Sequence, residues 1–337
     1  MRPEYSIPSS RFLRYRGVES VVAGDSTVAY TGPRGHRENP PGNAAVYLKL
    51  AAEHGWSVNG IAGISFVVLD RPSTALPGEF TFSKQQSLQK VGAINRFSDF
   101  FPAGGFSAAD FIINYAHLTL HGLAGLAGCV KSIAMGCSGL TGKLRMHQSL
   151  IPFFDTQLCK GCGMCAKHCP EGALRLDDTT CILAFPEKCI GCGECVAVCK
   201  AKAVTLKGLE ISDWKLGEET LPERMADYTI GLMNGKWDST IHVLHMYSIT
   251  ELCDCVDRKQ TPFVRDIGFL VSKNPFAVDK EAGRLLALAL QKDHVILGGS
   301  AITTAEATAD YVEKNYGIIA APPVHTIRIA PHQEATS

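Results

Sequence analysis

The chain has 337 residues, enough for one large domain or two ordinary ones, with a core that needs no disulfide support. Hydrophobic residues are 46% and charged residues 20%, which excludes a disordered or fibrous chain. Lys plus Arg equals Asp plus Glu at 33 each, so neither nucleic acid nor an acidic membrane surface is an expected partner.

The opening MRPEYSIPSSRFLRYRGVES carries no apolar core of signal-peptide length, and no later segment is apolar for the length of a membrane span. The expected location is the cytoplasm. ESVVAG then reads as a short buried strand, and PPGNAAVYLKLAAEHG as a helix with Pro41 near its first turn and Gly55 just past its end. GISFVVLD (63–70) and ADFIINYAHL (109–118) are β-rich apolar runs. GLAGLAGCVKSIAMG (122–136) reads as one tightly packed helix that stops at Gly136. Beyond the central cysteines, PERMADYTIGLMNG (222–235) reads as a helix, and STIHVLHMYSIT (239–250) and DIGFLVS (266–272) as strands. EAGRLLALALQ (281–291) and AEATADYVEKNYG (305–317) read as closing helices. Such alternation predicts an α/β layer fold with a mostly parallel sheet.

Residues 151–207 break the rhythm. FDTQLCKGCGMCAKHCPEGALRL aligns with FPEKCIGCGECVAVCKAKAVTL at an offset of 30 residues, and both copies end in a few residues of strand character. One small domain inserted at a surface loop accounts for this, with residues 1–150 and 208–337 forming the host. In a reducing compartment, cysteines at short spacing indicate metal or redox chemistry, and the odd total of 13 speaks against a disulfide framework.

Each copy is spaced C-x2-C-x2-C-x3-C. Three cysteines two apart can wrap one corner of a [4Fe–4S] cube, while the fourth reaches the other cube. The predicted wiring is crossed: Cys159, Cys162, Cys165 and Cys199 hold one cluster, and Cys189, Cys192, Cys195 and Cys169 the other. Gly161, Gly163, Gly191 and Gly193 allow positive φ and close approach of backbone amides to sulfur. A pair of zinc knuckles is the competing reading.

Of the other five cysteines, Cys181 in TTCILAF and Cys129 in GLAGCVK read as buried thiols. Cys137 lies in MGCSGLTGKLRMH between glycines, with His147 ten residues on, and both are suited to metal. Cys253 and Cys255 form CDC after a strand, facing the same way, so they can grip one metal or act as a dithiol. Asp254 and Asp257 would raise their pKa values unless a cation stands nearby. His121 and Lys131 flank a glycine-rich turn that could hold an anion.

The chain resembles the DUF362 family, a group associated with iron–sulfur clusters whose common chemistry is unassigned. The resemblance rests on HGLAG (121–125), KSIAMGC (131–137), GKLRMH (142–147), the double cysteine run, CDC (253–255), and DIGFL with NPFAVD (266–270 and 274–279). GDSTVAYTGPRGHRENPPGNAAVYLKLAAEHG (24–55) also contributes. The resemblance implies an α/β host carrying a bacterial-type two-cluster ferredoxin insert. It marks His121, Lys131, Cys137, His147, Cys253, Cys255, Asp266 and Asp279 as motif positions.

Together these readings predict an iron–sulfur oxidoreductase. The insert would exchange electrons with a soluble low-potential donor or acceptor. The host would reduce a small, anionic molecule or cofactor precursor at His121, Lys131, Cys137, His147, Cys253 and Cys255, around a third metal centre or the substrate itself. The alternatives are an electron-transfer subunit for a partner enzyme, and a metal or sulfur carrier loaded at Cys137 and the Cys253/Cys255 pair.

Overall fold

The computed structural model describes residues 7–28, 32–35, 38–39, 43–56, 64–71, 96–97, 100–121, 124–139, 142–143, 146, 152–169, 172–189, 195, 198–206, 221–255, 259–290, 295–296 and 299–320. It is a mixed α/β protein whose sheets contain parallel strands. After an N-terminal helix, Ile7–Tyr15, strand β1 (Val22–Asp25) leads through helix Ala45–Glu53 to β2 (Ser65–Val68), which pairs parallel with β1. The helix ends where Gly55 takes φ +89°, the left-handed stop the sequence provides. Tyr47 and Ala51 of the helix pack on Phe66 and Val68, with Trp56 closing this layer.

The second sheet holds β3 (Ile112–His117). The chain then makes a short antiparallel pair, β4 (Thr119–His121) with β5 (Gly125–Ala127). The single helix expected over 122–136 therefore needs correction. Residues 125–127 are strand, held by backbone pairing to β4, and the helix starts only at Cys129. It runs Cys129–Lys131 and continues as a π-helix, Ser132–Gly136. Its first amides are capped from elsewhere: Asp279 accepts from Cys129 N at 2.6 Å and Val130 N at 3.0 Å. Gly128 makes room for that carboxylate, since a Cβ there would lie 2.3 Å from Asp279 Oδ1.

The central segment contributes β6 (Pro152–Phe154), helix Met164–Lys167, β7 (Leu174–Asp177), β8 (Thr180–Leu183) and β9 (Val204–Leu206). β6 pairs with β9 and β7 with β8, both antiparallel. Each cysteine copy is thus bracketed by an opening and a closing strand, and each closing strand pairs with the opening strand of the other copy. Cys165, Cys181 and Cys195 join Leu174 and Val204 in a small core of its own.

Helix Leu221–Leu232 is buried on nearly every side, as expected of a helix at the centre of a core. Its Tyr228, Ile230 and Leu232 meet Phe97, Phe100, Ile133 and Phe276. Strand β10 (Thr240–Met246) pairs parallel with β3 and antiparallel with β11 (Gly268–Ser272), giving the order β11-β10-β3. Helix Pro275–Leu290 covers this sheet through Val278, Ala282 and Leu286, and helix Ala301–Tyr316 follows. The parallel character predicted for the sheet holds at β1–β2 and β3–β10; the other pairings among the described residues are antiparallel. Among those residues no helix is long and apolar enough to cross a membrane.

Candidate functional site

β3 and β10 end side by side at His117 and His245, and the chain leaves β10 toward Cys253. The carboxyl ends of parallel strands are where open α/β sheets gather ligands. The loop that delivers the cysteines is fixed at several points. Ser248, at φ +54°, donates its N–H to Asp266 Oδ1 at 2.7 Å. Thr250 O accepts Leu120 N at 2.9 Å, tying the loop to β4. The Gln260 side-chain amide grips Leu252 from both sides, accepting its N–H and donating to its carbonyl, each at 2.9 Å.

Beyond this anchor His121, Cys253 and Cys255 converge. One ring nitrogen and the two sulfurs lie within 4.8 Å of one another, close enough to hold a metal ion. Lys131, the third residue of the capped helix, donates its ammonium to Cys253 Sγ and stands 3.6 Å from Cys255 Sγ. Cys255 N also donates to Cys253 Sγ at 3.2 Å. The Cys255 thiol, the Lys131 ammonium and this amide together pull the Cys253 thiol down to about 5 against the cost of burial. Cys255 moves the opposite way, well up, because its proton is held by the neighbouring thiolate and the site is buried. The pair is a monoanion with one shared proton under a cation. Cys253 is buried, while Cys255 is half-buried and is the sulfur nearer solvent.

His121 fits a donor better than a ligand. Its Nδ1 accepts the N–H of Ala124 at 3.0 Å, so in the neutral ring the proton resides on Nε2. Metal-bound histidines ordinarily donate through the second nitrogen to an oxygen. With Lys131 already supplying positive charge to the sulfurs, the donor set matches a stabilised dithiol more closely than a metal cage.

Asp254 was expected to oppose the thiolates, and the structure corrects this. Its side chain turns away to His117, with Oδ2 2.7 Å from Nδ1, while His117 Nε2 approaches Tyr247 O at 2.8 Å. Burial alone would lower the His117 pKa, but the Asp254 carboxylate outweighs it and the net shift is upward. The cation that the CDC sequence called for is Lys131.

Arg34 connects this loop to the other parallel pair. It donates to Asp254 O at 2.9 Å and to Asp25 Oδ2, at the carboxyl end of β1, at 2.6 Å. Tyr47 OH reaches the same Asp25 oxygen at 2.7 Å. Burial works against the Asp25 charge, yet Arg34, Tyr47 and the Ser26 amide hold its carboxyl below the usual range.

Cys137 belongs to this neighbourhood and is not one of the three converging ligands. Burial first, then the Asp25 charge, push its thiol up to about 12, with Lys143 opposing. Lys143 is itself buried and donates to Ser26 Oγ at 2.7 Å. Of the six host residues singled out from sequence, four (His121, Lys131, Cys253 and Cys255) meet; Cys137 stands apart, and His147 lies outside the described residues, as do Cys192 and Asp257. Arg34, Asp25, His117 and Lys143 were not singled out. The available signal was position: Asp25 and His117 terminate apolar strand runs.

In the central unit none of the described cysteines is in a disulfide. Cys169 Sγ accepts Ala173 N at 3.2 Å, and Cys199 Sγ accepts Ala203 N at 3.3 Å, the same contact at the same offset of 30 residues. Gly161 and Gly163 take φ of +61° and +67° around Cys162, as the run requires. Cys181 and Cys129 are buried, as expected. Burial and the nearby Cys165 raise the Cys181 thiol to about 12.

The model of a family described as a domain of unknown function, DUF362, matches residues 11–284. No curated protein matches the chain.

Proposed function

Because the chain belongs to the DUF362 family, whose description names no activity, we propose a function from its own residues: it is an iron–sulfur oxidoreductase with a dithiol working site. Residues 151–207 form a ferredoxin-like insert in the α/β host. Cys159, Cys162, Cys165 and Cys199 would hold one [4Fe–4S] cluster, and Cys189, Cys192, Cys195 and Cys169 the second. Two such clusters supply single-electron transfer to and from a soluble low-potential carrier.

The observation that carries this reading is the reciprocal exchange between copies. Closing strand pairs with opening strand across the repeat, and the fourth cysteine of each run accepts an equivalent amide N–H. Such a hydrogen bond favours the charged thiolate that iron requires. The donor set fits the clusters: the described cysteines of both runs are thiols outside any disulfide, and left-handed Gly161 and Gly163 flank Cys162 in the first run. The two runs also approach each other, since Cys181 feels both Cys165 and Cys195.

In the host, the Cys255 thiol and the Lys131 ammonium keep Cys253 ionised, and one ring nitrogen of His121 stands within 4.8 Å of both sulfurs. The Gln260 and Arg34 contacts hold the CDC loop in place. Iron and sulfide analysis of anaerobically prepared protein tests the reading. About eight irons per chain, with a paramagnetic signal on reduction, are expected. Zinc alone, or no reducible signal, would end it.

A further inference from the structure

The arrangement at the end of β10 also defines what the host site acts on. We infer that Cys253 and Cys255 perform thiol–disulfide exchange and that the substrate class is a disulfide. The inference deepens the proposed function and rests on it only for the source of electrons; the exchange itself needs nothing but the two sulfurs.

Four observations carry it. The sulfurs of Cys253 and Cys255 lie within 4.8 Å of each other, one residue apart on a loop anchored at Leu252. The Lys131 ammonium addresses both sulfurs, so negative charge is stabilised on either one as it passes between them. The Cys255 amide donates to Cys253 Sγ, which fixes the inner sulfur while the outer one works. Finally, the two differ in access: Cys253 is buried and Cys255 is half-buried. An enclosed sulfur beside an accessible one, sharing one proton, is the arrangement in which an entering disulfide meets the outer sulfur and is then displaced by the inner.

The steps balance. Cys255 passes its proton to Cys253 along their hydrogen bond and attacks one sulfur of R–S–S–R. A Cys255–S–S–R bond forms, the substrate disulfide breaks, and RS⁻ departs. The Cys253 proton goes to that RS⁻, giving RSH. The freed Cys253 thiolate then attacks Cys255 Sγ, forming the Cys253–Cys255 disulfide and expelling the second RS⁻. The substrate gains two electrons and the protein pair loses two. Return to the resting monoanion takes two electrons from the soluble low-potential donor and one proton from solvent. A metal held by His121, Cys253 and Cys255 would instead occupy both sulfurs and block every step.

The aromatic disulfide DTNB tests this on the whole, anaerobically reduced protein, read by released thiolate colour and by peptide mass. Wild type should release about two thionitrobenzoates per chain in its fast phase. The peptide spanning Cys253 and Cys255 should lose two hydrogens and carry no adduct. Cys253→Ser should release about one and keep the other as a stable adduct on Cys255. Cys255→Ser, with only the enclosed sulfur left, should lose the fast phase. A lasting adduct on wild type, a fast phase that survives Cys253→Ser with Cys255→Ser, or reactivity that appears only after a chelator strips metal would overturn the inference. Iron content and visible absorbance of the same samples separate the two claims. Intact clusters without exchange remove the dithiol assignment and leave the iron–sulfur reading; exchange without iron does the reverse.

Discussion

Lys131 gives the sharpest quantitative handle on the host site. Cys253 falls from 9.0 to about 5, a preference for the thiolate of roughly 5 kcal/mol at about 1.4 kcal/mol per tenfold change. The Cys255 thiol supplies the largest share, and the Lys131 ammonium adds both charge and a hydrogen bond. A unit charge about 4 Å away is worth roughly 4 kcal/mol at an effective dielectric near 20. Part of that attraction is cancelled by water entering the space when the ammonium is removed. Assigning Lys131 between a third and a half of the net effect, Lys131→Met should leave the thiol near 7, a loss of ~100-fold in acidity. The assay is the pH dependence of iodoacetamide alkylation, followed by mass on the peptide that carries the pair. At pH 6 ~10% rather than ~90% of the pair is ionised, so the variant's rate should still be climbing with pH where that of wild type has levelled off. Above pH 8 it should overtake wild type, because a thiolate of higher pKa is the stronger nucleophile. An unchanged midpoint, or a wild-type midpoint at the value of a free cysteine, would refute the assignment of Lys131 as the cation of this site.

Other consequences are independent of the sulfurs. A Cβ at Gly231 would lie 1.9 Å from the fully buried Phe100 ring, so Gly231→Ala should cost at least ~1–3 kcal/mol in denaturant unfolding. Gly128→Ala would push Asp279 off the Cys129 and Val130 amides; losing the cap should cost about 1–2 kcal/mol and slow alkylation by displacing Lys131. Burial raises the Asp279 carboxyl to about 7, against the pull of those two amides. The folded state therefore binds the proton more tightly than the unfolded chain, whose value is near 3.8, and Asp279 makes stability fall as pH rises from about 4 to 7. Thermal midpoints across that range should show the slope, and Asp279→Asn should flatten it. Gln260→Leu leaves the Leu252 N–H and carbonyl without their amide, and should lower the DTNB rate while leaving iron content unchanged.

Much of the element order was legible because the physics was local. The β-rich runs 63–70 and 109–118 became β2 and β3, and Gly55 ended its helix as a left-handed residue. Legibility stopped where a partner decides the conformation. Gly125–Ala127 is Gly-Leu-Ala, with no β-branched or aromatic residue to favour a strand, and pairing with β4 makes it one. The helix expected from Glu281 begins at Pro275, where Asn274 Oδ1 accepts the N–H groups of Phe276 and Ala277 at 3.0 and 3.2 Å. An asparagine followed by proline is itself a helix-start signal in the sequence. In the site, residue type picked out His121, Lys131, Cys253 and Cys255 one by one. What joins them is long-range: Arg34 reaches a carbonyl 220 residues away, and no pattern in sequence marks that bond. Cys137 was grouped with the pair on chemistry alone, and packing put it beside Asp25 and Lys143 instead.

The interlocked halves of the central unit bear on how such a segment arises and how it can be cut. A lone copy owns an opening strand and a closing strand that do not pair with each other, only with those of its twin. A half-length ancestor could satisfy both edges only by associating with a second molecule of itself about a twofold axis. Any boundary drawn between the copies separates each opening strand from the closing strand it pairs with and leaves both halves needing a companion.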